Sequence, residues 1–121
     1  MVVWPIDDDP LSESYQIARY FQDQGWRIHP IHDCRDRLIE ESCCRDVRLV
    51  PDDYDILLLF TPSDALPEVV NSIFNADFVP PIIWAHTGIF DQQSFDRLTE
   101  AGIIAVMDRD LMKTYKKWID E

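Results

Sequence analysis

The sequence contains little glycine, and this limits the ligands that it is built to bind. Only three glycines occur in 121 residues, and the first of them is Gly25. Glycine-rich turns let backbone N–H groups approach a bound phosphate, as in the P-loop and in dinucleotide-binding turns. Neither motif is present, and the turn expected after the first strand, residues 4–9, has no glycine.

Basic residues are also scarce. Eleven Lys and Arg stand against 23 Asp and Glu, which gives a formal net charge of −12 at pH 7. A surface with this charge repels nucleic acids and anionic membranes. We therefore expect neither a nucleic acid nor a membrane as a partner.

Long apolar runs are missing as well. The longest, residues 56–60, is far too short to span a bilayer, and the N-terminus lacks the pattern of a signal peptide. Three cysteines, Cys34, Cys43 and Cys44, are an odd number with two of them adjacent. This usage favours free thiols in a reducing compartment, so we expect a cytoplasmic protein.

What the sequence does contain is an alternation of apolar runs with segments of helical periodicity. Five segments are predicted to be strands: residues 2–6, 26–31, 55–60, 81–85 and 103–107. The central runs are continuously apolar, as in strands that are covered on both faces. The alternation predicts an α/β fold with a doubly wound parallel five-stranded sheet, and the length fits a single domain over residues 1–121.

Helix signals lie between the predicted strands. Ser12 or Ser14 is suited to cap the first helix, and residues 66–74 have the periodicity of another. Asp110 is suited to cap the last helix. Only residues 35–50 resist assignment, and we expect an irregular segment with a short helix there.

The turns after the strands are the candidate site, because ligands of doubly wound sheets bind beyond the carboxyl ends of the strands. Asp7, Asp8 and Asp9 follow the first strand. Beside a phosphate, each would cost on the order of 1 kcal/mol in water. We interpret this turn as a solvated acidic loop, with a metal site as the alternative.

The sequence gives weak support to phosphoryl transfer, metal binding and hydrolysis. A phospho-acceptor receiver domain needs an aspartate after its third strand and a lysine after its fifth, where this sequence has Phe60 and Asp108-Arg109. His29, His32 and the cysteines include metal-ligand types, but there is no C-x-x-C pair, and His29 and His32 would point to opposite faces of a strand. No G-x-S-x-G or H-E-x-x-H pattern is present. We therefore expect no bound metal and no catalysis.

Short motifs follow one another in a distinctive order between residues 10 and 115. They are Ser14-Tyr15 at the first helix, Gly25-Trp26-Arg27-Ile28 and Pro30-Ile31-His32 around the second strand, and Asp108-Arg109 after the last. In this order and spacing the sequence resembles the small single-domain CoA-binding proteins, which are similar to the CoA-binding domain of the succinyl-CoA synthetase alpha subunit. The resemblance implies a Rossmann-like domain that holds the nucleotide part of CoA across the carboxyl edge of the sheet, commonly without catalysis.

The resemblance also implies which residues bind the ligand. In this sequence they are Ile6, Ser12, Ser14, Tyr15, His32, Phe60, Thr61, Pro62, His86 and Gly88. Among them, Phe60 and Pro62, together with Trp84, could enclose an adenine. His32, His86 and the helix amides near Ser14 could donate hydrogen bonds.

The sequence departs from the family where the ligand should lie. The family's Gly-x-Ser turn is Trp4-Pro5-Ile6 here, its asparagine after the second strand is His32, and its glutamine after the fourth strand is His86. These replacements remove phosphate donors, while carboxylates are added nearby.

Three functions therefore remain open. The first is a non-enzymatic CoA or adenine-nucleotide binding protein with an altered site. The second is an interaction module that kept the fold and lost the ligand, associating as a homo-oligomer or with a partner. The third is a metalloprotein built on the acidic turn or on His32 with the cysteines.

Overall fold

The computed structural model describes residues 1–51 and 53–120. Its strands are β1 (Val2–Trp4), β2 (His29–Pro30), β3 (Arg37–Leu38), β4 (Glu41–Ser42), β5 (Ile56–Leu59), β6 (Ile82–Ala85) and β7 (Ile104–Val106). Its helices are α1 (Glu13–Asp23), α2 (Leu66–Phe74), α3 (Gln92–Glu100) and α4 (Leu111–Ile119). Short 3-10 helices lie at Val47–Leu49 and Ser63–Ala65.

Five of the strands form one parallel sheet in the order β2-β1-β5-β6-β7. Val2 of β1 lies opposite His29 of β2 on one side and Leu57 of β5 on the other. The chain thus moves outward from β1 to β2 and then returns to add β5 on the far side of β1. The switch in strand order lies at β1, and the predicted doubly wound five-stranded parallel sheet is confirmed.

Both faces of the sheet are covered by helices. Phe21 of α1 and Leu111 of α4 belong to the apolar cluster on one face, and Val70 of α2 belongs with α3 to the cluster on the other. Neighbouring residues of β5 alternate between the two, since Leu57 packs in one cluster and Leu58 in the other. Each fully buried leucine contributes about 1.5–3 kcal/mol, so the continuous apolar run of β5 stabilises both layers.

Local signals set the helix ends. The side chain of Ser12 accepts a hydrogen bond from the N–H of Tyr15 and caps α1, while Asp110 accepts from the N–H of Lys113 and caps α4. Gly25, at φ 95°, follows α1, in a conformation that glycine adopts at little cost. No helix in the described part of the chain is long and apolar enough to cross a membrane.

The strands are shorter than the sequence predicts. The first ends at Trp4 rather than residue 6, where Pro5 has no N–H to donate. The second contains only His29 and Pro30, and the next residue, Ile31, pairs with Cys44 through an isolated bridge. The sheet therefore has a very short strand at this edge.

The segment 35–50, expected to be irregular with a short helix, contains more order than that. The 3-10 helix at Val47–Leu49 matches the expected short helix. The antiparallel hairpin of β3 and β4 was not predicted from the sequence. Its turn places Ile39 at φ 49° and Glu40 at φ 65°, in a left-handed conformation that neither residue type favours, so no turn signal was visible.

Candidate functional site

A cleft of about 290 Å³ lies at the carboxyl edge of the sheet, around the end of β1. The turn after β1, the start of α1, the loop after β2 and the end of β5 supply its walls. The lining residues are Pro5, Ile6, Asp7, Asp8, Ser14, His32, Asp33 and Phe60. The cleft therefore coincides with the topological switch point, where doubly wound sheets bind ligands. Trp4 is not part of its wall and packs against the apolar cluster on one face of the sheet.

The turn after β1 uses its own backbone donors. The N–H of Asp7 donates to Ser14 Oγ at 2.9 Å, and the N–H of Asp9 donates to Asp7 Oδ1 at 2.8 Å. The N–H of Leu11 donates to Asp9 Oδ1 at 2.9 Å. These internal bonds stabilise the turn as an Asx-type loop. The same N–H groups are therefore unavailable to a bound phosphate.

The loop after β2 holds His32 in a defined orientation. Its Nδ1 accepts hydrogen bonds from the N–H groups of Cys34, at 3.0 Å, and Arg35, at 2.9 Å. Arg45 closes this loop by donating to the carbonyl oxygens of His32 at 2.9 Å and Arg35 at 2.6 Å, and to the carboxylate of Asp36 at 2.7 Å. The imidazole is thus fixed by the backbone of its own loop.

The electrostatic character of the cleft is negative. Asp7, Asp8 and Asp33 line it, and no Lys or Arg is among its lining residues in the described part of the chain. Arg35 donates from Nε to Asp8 Oδ2 at 3.1 Å, and this bond holds the pKa of Asp8 below its usual value. The carboxylate of Asp8 is therefore ionised at neutral pH and already paired.

The structure brings four of the predicted binding residues together. Ile6, Ser14, His32 and Phe60 all line the cleft, and Ser14 is only 7% exposed. They come from three loops and one helix that meet at the end of β1.

The predicted residues of α1 lie beside the cleft. Ser12 caps the helix and also donates its hydroxyl to the carbonyl oxygen of Asp9 at 2.7 Å. Tyr15 packs against the apolar cluster that contains Phe21. Both residues have structural contacts here, and their part in ligand binding stays a prediction.

Thr61 and Pro62 follow β5, next to Phe60. Thr61 is buried, and its hydroxyl has no hydrogen-bond partner among the described residues. Pro62 is exposed and precedes the 3-10 helix at Ser63–Ala65. Neither lines the cleft.

His86 and Gly88 follow β6. His86 is buried, its Nε2 contacts Glu13 Oε1 at the start of α1, and its ring lies 4.9 Å from that of Phe60 between centroids. Gly88, at φ 86°, donates its N–H to Asp108 Oδ1 at 2.6 Å. His86 thus packs against Phe60, whereas Gly88 joins the turns after β6 and β7.

Trp84 is not available to enclose an adenine. It is buried in the core, 5% exposed, and its indole N–H donates to the carbonyl oxygen of Arg109 at 2.7 Å. This part of the sequence-based expectation is wrong, because the apolar run of β6 places the ring between the sheet and its covering helices.

Asp7, Asp8 and Asp33 were not among the predicted binding residues, although all three line the cleft. Their positions in the loops after β1 and β2 were the available signal, since the carboxyl-edge rule applies to any residue type. Within residues 1–51 and 53–120, no group of three or more His, Cys, Asp or Glu side chains is placed to hold a metal ion.

Residues 2–116 match the CoA binding domain family. The chain belongs to this family. It is 25% identical over 103 residues to the uncharacterized protein YneT of Bacillus subtilis (strain 168), covering 85% of this chain and 75% of YneT.

Solved structures show the same fold. A Thermus thermophilus protein superposes with a TM-score of 0.89 at 28% identity, over 96% of this chain and 87% of that one. A dinucleotide-forming acetyl-coenzyme A synthetase of Ca. Korarchaeum cryptofilum, solved with phosphate and ADP, has a TM-score of 0.66 at 20% identity. It covers 86% of this chain, which corresponds to 24% of the synthetase.

The residues of this CoA-binding domain fit one part of CoA better than another. The pyrophosphate does not fit against the first turn, where the N–H groups of Asp7 and Asp9 are bonded internally and the carboxylates would repel it. The nucleoside part fits better, since the half-buried Phe60 offers apolar surface and His32 and Ser14 offer polar atoms. The volume is at the lower end of small-molecule sites, so the cleft suits a portion of CoA rather than the whole.

Proposed function

We propose that the protein binds CoA or an adenine nucleotide in the carboxyl-edge cleft and does not transform it. The observation that carries this proposal is the position of the cleft at the switch point of a CoA-binding family fold. In the proposed complex the adenosine part enters the cleft and the phosphates extend toward solvent.

The nucleophile candidates support a binding role without catalysis. The Ser14 hydroxyl is partnered by the N–H of Asp7, which is a hydrogen-bond donor and not a base. Burial raises the pKa of the Cys43 and Cys44 thiols, so little of either is thiolate at neutral pH. Cys34 is exposed and does not line the cleft.

Calorimetry and thermal unfolding with CoA, ADP and adenosine test this proposal. A ligand at 100 times its Kd stabilises the fold by about 2.7 kcal/mol, which corresponds to on the order of 10 °C in Tm. Phe60→Ala removes part of the apolar wall and should weaken binding, whereas Leu49→Ala changes an exposed residue that does not line the cleft and should not. If none of the three ligands shifts Tm or produces heat, the proposal is wrong.

The interaction-module alternative has one observation in its favour. Trp118 and Ile119 at the end of α4 are 59% and 52% exposed. Contiguous exposed apolar surface marks contact sites, and these two neighbouring side chains could contribute to one. Light scattering that shows a strict monomer at high concentration would count against self-association.

A further inference from the structure

We propose that the free edge of β7 and the adjoining flank of α4 bind an extended acidic segment of a partner protein, which adds to the sheet as a further strand. We call this site the β7–α4 surface. None of the residues that line the cleft belongs to it, so this inference and the proposed function are tested separately.

The edge of β7 that faces away from β6 is unpaired in the described part of the chain. Ile104 donates its N–H to the carbonyl oxygen of Pro81, next to β6, at 3.0 Å. Because successive residues of a strand direct their backbone groups to opposite sides, the N–H and carbonyl oxygen of Ala105 point away from β6. Groups of this kind are the ones to which an added strand bonds.

The flank of α4 that lies beside this edge is identified by the packing of the helix. Lys116 places its Nζ over the ring of Tyr20 in α1, 4.8 Å from the ring centroid. Since α1 connects β1 to β2 in the other half of the sheet, the opposite flank of α4 lies on the β7 side. Thr114 and Trp118, two positions before and after Lys116, are on that opposite flank.

An open groove of about 660 Å³ runs along this flank, lined by Arg109, Asp110, Lys113, Thr114, Lys117 and Trp118. Arg109, Lys113 and Lys117 recur at intervals of four residues and therefore share one side of the helix. Asp110 caps α4 by accepting from the N–H of Lys113 at 2.9 Å. The groove thus presents three cations and one carboxylate, on a chain whose formal net charge is −12.

The three cations of the groove are available to a partner. None of them forms an ion pair within residues 1–51 and 53–120. Arginines elsewhere are already paired, for example Arg35 with Asp8 and Arg45 with Asp36. An acidic segment would therefore meet unpaired positive charge at this surface.

The spacing of the cations indicates the pattern of the partner. Four residues of an α-helix advance by about 6.0 Å, and two residues of a strand advance by about 6.7 Å. Carboxylates at alternate positions of an added strand share one face, so successive ones would each reach a cation of the groove. The surface therefore fits an extended segment with Asp or Glu at every second position.

Exposed apolar side chains complete the surface at its other end. Ile104 faces the same side of the sheet as Val106, which packs in the apolar cluster with Leu111 of α4. Because α4 returns along the sheet toward the start of β7, Trp118 lies at the same end as Ile104. Both side chains are exposed, and they would contact an apolar residue of the added strand.

The negative net charge of the chain does not exclude an acidic partner here. At physiological ionic strength the Debye length is about 8 Å, so charges farther away than this are largely screened. A short segment in the groove therefore responds mainly to the cations beside it.

Fluorescence anisotropy with a labelled peptide of about eight residues, in which Glu and Thr alternate, tests the surface at about 0.15 M salt. We expect saturable binding that weakens as salt is added. A peptide of the same composition in the order Thr-Thr-Glu-Glu has the same charge but divides its carboxylates between two faces, so it should bind on the order of five-fold more weakly. N-methylation of alternate backbone nitrogens in the alternating peptide keeps the charge and blocks strand pairing, so it should abolish binding.

Matched charge reversals on α4 distinguish the groove from the net charge. Lys117→Glu should weaken binding of the alternating peptide on the order of ten-fold, because it replaces an attraction in the groove by a repulsion. Lys116→Glu changes the net charge equally on the flank that faces Tyr20, and it should weaken binding by less than about two-fold. Equal weakening by the two variants would overturn the proposal.

Hydrogen exchange provides a readout that charge attraction alone would not move. The N–H of Ala105 should exchange on the order of ten-fold more slowly with the alternating peptide bound, whereas that of Ile104, which already donates to Pro81, should change little. Failure of this peptide to bind, or binding without protection of Ala105, would overturn strand addition. Protection of Ala105 in the free protein together with a dimer in light scattering would also overturn it, because a second copy would then cover the edge. CoA, ADP and adenosine enter neither measurement, so each result leaves the proposed function where it was.

Discussion

Replacing Tyr54 by Phe should stabilise the protein. Tyr54 is 7% exposed, its ring lies edge-on to Phe78 with centroids 5.3 Å apart, and its hydroxyl has no hydrogen-bond partner among the described residues. Burial of an unpaired hydroxyl costs about 1–3 kcal/mol. Phe keeps the ring and removes the hydroxyl, so we expect the free energy of unfolding to rise by about 1 kcal/mol at pH 7.

The same burial gives the prediction a pH dependence. It raises the pKa of Tyr54 well above the ordinary tyrosine value of about 10. Above pH 10 the unfolded chain releases this proton while the folded chain keeps it, so the free energy of unfolding falls by up to about 1.4 kcal/mol per pH unit. Phe has no such proton, and the advantage of Tyr54→Phe should therefore widen as the pH rises from 10 toward the folded pKa.

Urea unfolding followed by tryptophan fluorescence at pH 7, 10 and 11 measures both effects. Tyr115→Phe is the matched control, because it removes the hydroxyl of a tyrosine that is only half-buried within its aromatic cluster and leaves Tyr54 in place, so the alkaline loss that Tyr54 causes should remain. A less stable Tyr54→Phe variant at pH 7 would show that the hydroxyl has a partner in solution. If the free energy of unfolding fell equally steeply with alkaline pH in Tyr54→Phe and in the wild type, the burial argument itself would be refuted.

Two further perturbations test the elements that shape the cleft. Ser12→Ala removes the cap of α1 and should cost about 1 kcal/mol in urea unfolding, whereas Ser42→Ala at an exposed strand position should stay within about 0.5 kcal/mol of the wild type. Arg45→Met should speed hydrogen exchange at the N–H groups of Cys34 and Arg35, because it removes the hydrogen bonds by which Arg45 holds the loop after β2, while the exchange of β5 is unchanged. Equal protection of this loop in the variant and the wild type would show that Arg45 does not hold it.

The sheet could be predicted because its central strands have a pattern that few other structures produce. The run from Ile56 to Leu59 is apolar at every position, and its short length favours a strand covered on both faces over a buried helix. Helix caps could also be predicted from the sequence, since the side chains of Ser12 and Asp110 accept hydrogen bonds from backbone N–H groups of the first helical turn. Both features depend on residues close together in sequence.

The rest depends on contacts between distant segments. The hairpin of β3 and β4 leads residues 43–45 back onto β2, where Cys44 donates its N–H to the carbonyl oxygen of Pro30 at 2.9 Å. No local sequence pattern predicts that pairing. The acceptor role of His32 Nδ1 and the clamp by Arg45 arise in the same fold-back, so sequence alone identified His32 without showing which of its nitrogens would face a ligand.

The two edge strands of the sheet differ in their exposure to other copies of the chain. The edge at β2 is shielded by the bridge between Ile31 and Cys44. At β7, strand pairing in the described residues reaches only β6, and Ile104 is 61% exposed. An exposed edge strand is a template for the addition of a strand from another molecule. Here electrostatic repulsion between chains of net charge −12 opposes such association. Acidification, which removes that repulsion, should therefore be the condition under which solutions of this protein lose colloidal stability, starting from β7.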